Sequence, residues 1–316
     1  MLGPGKPIAS LILLSALMSG TCKMEAQSAT PGTVPVKSWT ELSNPKNLAP
    51  INGANYYEFN LPNGSTAHMV VAYIKSGKWR LRPYLSNKTK TTTETAQSQS
   101  ASAAINGGFF NLSDGLSASY VYLDGEMVAD PHVNKALMEN PKLQNFLPQI
   151  FDRSELRILK KKGSSKATEL QIAKHSEPLP ADMKLVDSLQ AGPRLLPTMD
   201  LEEEGFLRKQ PDGTYIDAIG GKKPAARSAV GITPDGYAII LAISGKGQDP
   251  ESTGITLAEL ADLLKRLGCR QAINLDGGSS TSLYVKLAEK DNAGGGTVCA
   301  KSPETLVKTV LLLMPQ

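Results

Sequence analysis

The stretch AINLDGGSSTSLYV, residues 272–285, places a polar, glycine-rich turn between two apolar segments with strand composition. Asn274 and Asp276 stand at the bend, and Gly277 and Gly278 follow the carboxylate. Paired glycines let a backbone approach an oxygen closely, and beside a carboxylate and several hydroxyls they suit a sugar or a phosphate. The same letters are also typical of an ordinary Asp-Gly hairpin, so this turn alone leaves both interpretations open.

A second turn of the same kind occurs in AINGGFFN, residues 104–111. An apolar segment again runs into an asparagine, Asn106, and two glycines, and an aromatic pair follows. Two strand ends with this pattern predict that the turns meet at one site. Asn106 and Asn274 would bind sugar hydroxyls or hold the turns, and Phe109 or Phe110 would stack on a sugar face.

Five segments in this order resemble the phosphodiester glycosidase family. They are the two glycine turns together with AGPRLL (191–196), RSAVGI (227–232) and GITL (254–257). The resemblance extends from about residue 66 to the C-terminus. It implies an enzyme that hydrolyses sugar-1-phosphodiesters, with N-acetylglucosamine as the expected sugar.

The resemblance and the chemistry of this substrate assign roles to individual residues. Phosphate is a good leaving group, so the site must stabilise an oxocarbenium-like sugar and hold the departing anion. Asp276 is the predicted catalytic carboxylate, with capping of its own turn as the alternative. Arg227 is the predicted phosphate ligand, because a guanidinium offers paired donors to an anion, with a surface salt bridge as the alternative. The predicted substrate-binding residues are Asn106, Gly107, Gly108, Phe109, Arg194, Asn274, Gly277, Gly278, Ser279 and Ser280.

Some of these assignments carry a further expectation. The four glycines of the two turns would aim backbone N–H groups at the phosphate, and Arg194 is either a ligand or a salt-bridged turn residue. Asp249 and Glu251 are candidates for a second carboxylate, or they face solvent. Relatives carry Asn and Arg around residues 300–308, where this chain has Ala300 and either Val307 or Lys308. If those residues bind substrate in relatives, the specificity of this chain differs.

The secondary-structure signals predict an α+β fold with a large mixed, mostly antiparallel sheet, flanking helices and a single domain. Strands on either side of Pro234-Asp235-Gly236 form a predicted hairpin. Thr256 and Glu259 form a predicted capping box, and the apolar stripe behind them predicts a helix that ends at Gly268.

The N-terminus reads as an export signal. Lys6 precedes an apolar run that is too short to span a membrane, so residues 1–28 are a predicted signal peptide. Residues 29–52 are a predicted flexible leader and residues 53–316 the glycosidase-like domain. Cys22 is an alternative lipid-anchor site, and no later segment predicts a transmembrane helix. The expected location is periplasmic, secreted or lipid-anchored in the cell envelope.

Composition excludes other classes. A net charge of +4 is too small to indicate nucleic-acid binding. The three histidines are scattered, and no Cys/His spacing resembles a zinc site, so neither a metal nor a cofactor is predicted. Cys269 and Cys299 either form one disulfide or stay free. Two rival functions remain: a non-catalytic carbohydrate or cell-wall binding module, and a phosphodiesterase that cuts P–O instead of C–O.

Overall fold

A computed structural model describes residues 38–42, 44–210, 212–288 and 294–316. The predicted signal peptide, Cys22 and the leader up to residue 37 lie outside these residues. The strands in chain order are β1 (Lys46–Asn47), β2 (Ala54–Asn60), β3 (Thr66–Tyr73), β4 (Trp79–Lys90), β5 (Ala103–Asn106), β6 (Val121–Leu123), β7 (Glu126–Ala129), β8 (Ser154–Lys161), β9 (Glu169–Lys174), β10 (Met183–Gln190), β11 (Arg194–Leu196), β12 (Leu207–Lys209), β13 (Tyr215–Asp217), β14 (Arg227–Ile232), β15 (Tyr237–Ile243), β16 (Gln271–Asn274), β17 (Ser282–Leu287), β18 (Gly294–Ala300) and β19 (Val307–Pro315). The α-helices are α1 (Thr92–Ser98), α2 (Lys135–Met138), α3 (Leu147–Phe151) and α4 (Leu257–Arg266).

The strands form three main sheets, and every pairing between described strands is antiparallel. A seven-stranded sheet has the order β1-β2-β3-β15-β14-β16-β11, and two five-stranded sheets have the orders β18-β17-β5-β19-β4 and β7-β6-β10-β8-β9. β12 and β13 form a separate pair. The α+β class and the mostly antiparallel character are confirmed. The predicted single large sheet is divided, because connections such as the one after β16 carry the chain from one sheet into the next.

The predicted hairpin and the predicted helix are both present. β14 and β15 pair from Arg227 opposite Ile243 to Ile232 opposite Ala238. The Thr256 hydroxyl accepts the N–H of Glu259 at 3.2 Å, and the Glu259 carboxylate accepts the N–H of Thr256 at 2.8 Å. This capping box starts α4, whose buried leucines pack on one face of the seven-stranded sheet. Burial of each leucine contributes about 1.5–3 kcal/mol.

The main core lies between the sheets. Apolar side chains from all three main sheets form one buried cluster, which includes Val70, Ile105, Leu156 and Val230. Leu48 belongs to the same cluster and is only 1% exposed. The ordered domain therefore begins before residue 53, because this apolar side chain and the pairing of β1 with β2 fix the end of the predicted leader to the core.

Two further predictions concern the cysteines and the membrane. Cys269 and Cys299 are both buried and free, so of the two predicted alternatives the structure has the one without a disulfide. Burial raises the pKa of each thiol to about 12. Among the helices in the described residues, none has the length and apolar character needed to cross a bilayer.

Candidate active site

The two glycine turns meet, as the sequence predicts. The N–H of Asp276 donates to the carbonyl of Gly107 at 3.0 Å. The side-chain amide of Asn106 donates to the carbonyl of Asp276 at 2.5 Å. β5 brings the first turn from the middle of a five-stranded sheet, and β16 brings the second from the seven-stranded sheet. The site therefore lies where the chain passes between two sheets.

The first turn needs its glycines for close packing. A Cβ at Gly107 would lie 2.5 Å from Thr309 Oγ1, and one at Gly108 would lie 2.5 Å from the carbonyl of Gln190. The N–H of Gly107 donates to the Thr309 carbonyl at 2.8 Å, and the N–H of Gly108 donates to Thr309 Oγ1 at 2.9 Å. Both groups are therefore engaged inside the protein.

The second turn uses its N–H groups in the same way. The N–H of Gly277 donates to Asp276 Oδ1 at 3.0 Å, and that of Gly278 donates to the carbonyl of Ala226 at 2.9 Å. The prediction that the four glycines aim their N–H groups at a phosphate is therefore wrong. The glycines instead allow the turns to pack against each other and against β14 and β19.

Asn106 holds the turns together. Its side-chain oxygen accepts the Ser228 hydroxyl at 2.6 Å and the N–H of Ser282 at 3.1 Å. Its amide is bonded to the carbonyl of Asp276, and the residue is fully buried. Of the two roles predicted for Asn106, the structure supports holding the turns.

Asn274 differs from Asn106 in one respect. Its amide donates to the carbonyls of Gly192 and Leu275 at 2.9 and 2.7 Å. Its side-chain oxygen is buried and has no hydrogen-bond partner among the described residues. A buried acceptor without a donor is costly, so this oxygen is available to a ligand hydroxyl or a water molecule.

Burial and hydrogen bonding act in opposite directions on the Asp276 carboxyl. The side chain is half-buried, and it accepts hydrogen bonds from the N–H of Gly277 and from the Ser280 hydroxyl. Burial raises the pKa of Asp276 to about 6, and the two hydrogen bonds oppose that shift. Such a carboxyl is mostly ionised at neutral pH and is basic enough to take a proton. Ser280 is buried beside it, whereas Ser279 is exposed.

Arg227 does not fit the predicted role of phosphate ligand. Its side chain is buried, and the guanidinium donates to four backbone carbonyls at 2.7–3.3 Å. These acceptors belong to Ile219, Gly220, Lys223 and Ile255. Four of the five N–H donors are therefore engaged, and Arg227 fixes the loop before β14 instead of facing a ligand.

Arg194 is a salt-bridged residue, the second of its two predicted roles. Its guanidinium pairs with Asp200, and it lies 3.6 Å from a carboxylate oxygen of Glu177. Its backbone N–H donates to Glu204 at 3.0 Å. The positive charge of Arg194 is therefore balanced by neighbouring acids.

The Phe109 ring lies beside Phe206 and Arg153, two residues that the sequence did not indicate as part of the site. Its ring centroid lies 5.4 Å from that of Phe206. The guanidinium carbon of Arg153 lies 3.8 Å from the Phe206 centroid and 5.7 Å from that of Phe109. Phe110 instead packs against a separate apolar cluster. No motif surrounds Arg153 or Phe206, so only the fold reveals their position beside the first turn.

A polar cleft of about 510 Å³ is linked to the second turn through one of its lining residues, Gln248. Its ionisable lining residues include Glu58, His68, Asp249, Lys301 and Glu304. Gln248, which also lines it, donates to the carbonyl of Gly278 at 2.8 Å.

The cleft does not bring the candidate carboxylates together. Asp276 is not among its lining residues, and Glu251 is exposed at the protein surface. No three or more His, Cys, Asp or Glu side chains in the described residues are arranged to hold a metal ion.

The sequence profile of the phosphodiester glycosidase family matches residues 99–314, and the chain belongs to that family. Among curated proteins, none matches this chain.

Solved structures share the fold at low sequence identity. The zebrafish N-acetylglucosamine-1-phosphodiester α-N-acetylglucosaminidase catalytic domain, auto-inhibited by its pro-peptide, is 16% identical, with a TM-score of 0.58 over 83% of this chain and 82% of that one. A hypothetical protein from Synechocystis is 17% identical, with a TM-score of 0.58 over 88% of this chain and 65% of that one. A proposed exported protein from Burkholderia pseudomallei is 14% identical, with a TM-score of 0.54 over 84% of this chain and 75% of that one. This chain therefore spans about two thirds of the Synechocystis protein.

Proposed function

We propose that this protein hydrolyses a sugar-1-phosphodiester, with N-acetylglucosamine as the sugar, by breaking the C–O bond. Family membership supports a glycosidase, and the name of the zebrafish relative supports this sugar and linkage. The observation that carries the proposal is the Asp276 carboxylate, half-buried at the junction of the two glycine turns, with a pKa of about 6.

Asp276 supplies the chemistry in this proposal. Either its carboxylate takes a proton from a water molecule whose oxygen bonds to the anomeric carbon, or the carboxylate bonds to that carbon and water then hydrolyses the resulting glycosyl ester to release the sugar. In both cases the C–O bond breaks, and its electron pair leaves on the phosphate oxygen. The phosphate monoester needs little help from an acid. Asn274 contributes the unpaired oxygen described above to a sugar hydroxyl.

Export forms the second part of the proposal. The apolar run within residues 1–28 is typical of a signal peptide, and one structural relative carries the description of a proposed exported protein. A fusion of residues 1–28 to a reporter enzyme that is active only outside the cytoplasm tests it. Active reporter is expected, and reporter retained in the cytoplasm would contradict export. Replacement of Cys22 by serine separates a soluble product from a lipid-anchored one.

Replacement of Asp276 by asparagine tests the catalytic part. Asp276→Asn keeps the shape of the side chain and removes its charge, so the rate should fall by at least about two orders of magnitude. The matched control is Asp235→Asn, in the exposed turn between β14 and β15, which should keep wild-type turnover. Near-normal hydrolysis by a folded Asp276→Asn protein would exclude Asp276 from the mechanism.

One observation favours the rival function, a non-catalytic carbohydrate or cell-wall binding module. The N–H groups of the glycines and the guanidinium of Arg227 are engaged within the protein, so the motifs alone do not assemble an anion-binding pocket. Calorimetry with the sugar phosphodiester distinguishes the rival, which predicts binding without any product.

A further inference from the structure

Arg153 is a buried cation beside the first glycine turn. It lies between α3 and β8, and only 7% of the residue is exposed. Its Nε donates to the carbonyl of Glu204 at 3.0 Å, and its guanidinium stacks on Phe206. The hydrogen bond to Glu204 uses one of the five N–H donors of the Arg153 guanidinium.

The terminal nitrogens of Arg153 differ from its Nε in their hydrogen bonding. Within the described part of the chain, neither nitrogen has a hydrogen-bond acceptor. The similarly buried Arg157 forms a 2.7 Å ion pair with Glu155 and donates to backbone carbonyls through Nη2, while its Nη1 is enclosed and has no partner among the described residues. Unlike Arg157 Nη1, the Arg153 terminal nitrogens are not fully enclosed, so they reach open space from which an anion can bind them.

Glu204 is the carboxylate whose charge acts on Arg153, and its oxygens already accept hydrogen bonds from other groups. One oxygen of Glu204 accepts the Ser154 hydroxyl at 2.8 Å and the N–H of Arg194 at 3.0 Å, and the other accepts the N–H of Ser154 at 3.3 Å. Burial lowers the pKa of Arg153 to about 9; the charge of Glu204 opposes this shift, and the charge of Arg208 adds to it. The free protein therefore holds this positive charge at a cost.

Arg208 is a second cation near Arg153, because the two side chains donate to the carbonyls of the consecutive residues Gly205 and Glu204. It lies on β12, is half-buried, and donates to the carbonyl of Gly205 at 3.4 Å. Burial lowers its pKa, and no acidic side chain among the described residues opposes that shift. Across the described residues, no carboxylate forms an ion pair with Arg153 or Arg208. Two neighbouring guanidinium groups without a carboxylate suit an anion that carries several oxygens.

Contacts connect these arginines to the candidate active site. Phe109, near the Arg153 guanidinium, directly follows the Gly107-Gly108 turn that bonds to Asp276. From the other turn, Asn274 bonds to Gly192, where a Cβ would lie 2.9 Å from the Phe206 ring.

We propose that Arg153 and Arg208 form an anion subsite that binds the phosphate oxygens of the substrate beside the Phe109 and Phe206 rings. This inference rests on the proposed function and names the residues that would hold the leaving phosphate. Arg153 would supply paired N–H donors to the non-bridging oxygens, and the two rings would exclude water from that contact.

Binding of inorganic phosphate tests the subsite without any hydrolysis. Phosphate should raise the Tm of the full chain, because a ligand that binds only the folded state stabilises it. Isothermal calorimetry should give a phosphate Kd about tenfold higher for Arg208→Gln than for the wild type, because the substitution removes one charged donor group. Arg153→Gln should bind still more weakly. The control Arg270→Gln removes an exposed arginine and should match the wild type.

Arg208→Gln decides the test if Arg153→Gln fails to fold, because Arg208 is only half-buried. An unchanged phosphate Kd in Arg208→Gln, or no phosphate binding by the wild type, would overturn the proposal. Loss of phosphate binding in the variants, together with a wild type that cleaves no sugar phosphodiester, would support the anion subsite and refute the proposed hydrolysis. Hydrolysis that survives with phosphate binding unchanged in both variants would refute the subsite alone.

Discussion

Two buried arginines next to strand starts differ in what surrounds their guanidinium groups. Arg227 opens β14 within the family-like segment RSAVGI, and backbone carbonyls accept four of its N–H groups. Arg153 precedes β8 in a segment without a recognisable motif, and its terminal nitrogens have no acceptor in the described residues. The arginine within the motif holds a loop, while the terminal donors of the other make no hydrogen bond to the described residues. Placement in a motif therefore does not by itself identify the residue that meets the substrate.

Replacement by lysine should affect different properties at the two positions: stability at Arg227, and hydrolysis of the phosphodiester at Arg153. Arg227→Lys should lower the free energy of unfolding by roughly 2–4 kcal/mol, because a lysine ammonium cannot reach four carbonyls and leaves buried acceptors unpaired. Urea unfolding measures this loss. The ratio of phosphodiester to aryl-glycoside hydrolysis per folded molecule should stay unchanged. A stable Arg227→Lys protein with selectively impaired phosphodiester cleavage would restore Arg227 as the phosphate ligand.

Arg153→Lys should show the reverse pattern. The positive charge remains and the paired donors are lost, so hydrolysis of the phosphodiester should fall roughly tenfold to thirtyfold. Cleavage of an aryl glycoside of the same sugar, which has no phosphate, should barely change. Steady-state kinetics on the two substrates measure the difference. Equal losses on both would assign Arg153 a structural role.

The sequence predicted the parts of this site that depend on local pattern. The turn around Asp276, the turn after Asn106 and the capped helix α4 each follow from residues close together in the chain, and the two similar turns indicated that they meet. The bonding of the glycine N–H groups was not predictable, because their acceptors, such as Thr309 and Ala226, lie elsewhere in the sequence.

Arg153 was missed for the same reason. Its position beside Phe109 depends on how the segment around α3 and the loop with Glu204 and Phe206 fold over the first turn. A sequence shows an arginine but does not show whether its donors have acceptors. Arg227 was misassigned because its carbonyl acceptors leave no signal in the side-chain pattern.

The pH dependence of kcat/KM should follow the ionisation of Asp276. With a pKa of about 6, its reactive, ionised form makes up most of the protein at pH 7 and about a tenth at pH 5, so kcat/KM should fall about tenfold over that range. The folded carboxyl binds its proton more tightly than the unfolded one, so this group also lowers stability as pH rises from about 4 through 6. Thermal melts of wild type and Asp276→Asn across this range measure the second effect. A flat rate profile between pH 5 and 7 would contradict the role of Asp276.

Hydrolysis of an N-acetylglucosamine-1-phosphodiester in ¹⁸O-labelled water tests the central claim most directly. Mass spectrometry of the two products shows which bond is cut. The account predicts that the label enters the sugar, because Asp276 directs water or itself to the anomeric carbon and the phosphate leaves intact. Label in the phosphate product would show P–O cleavage and would contradict the account.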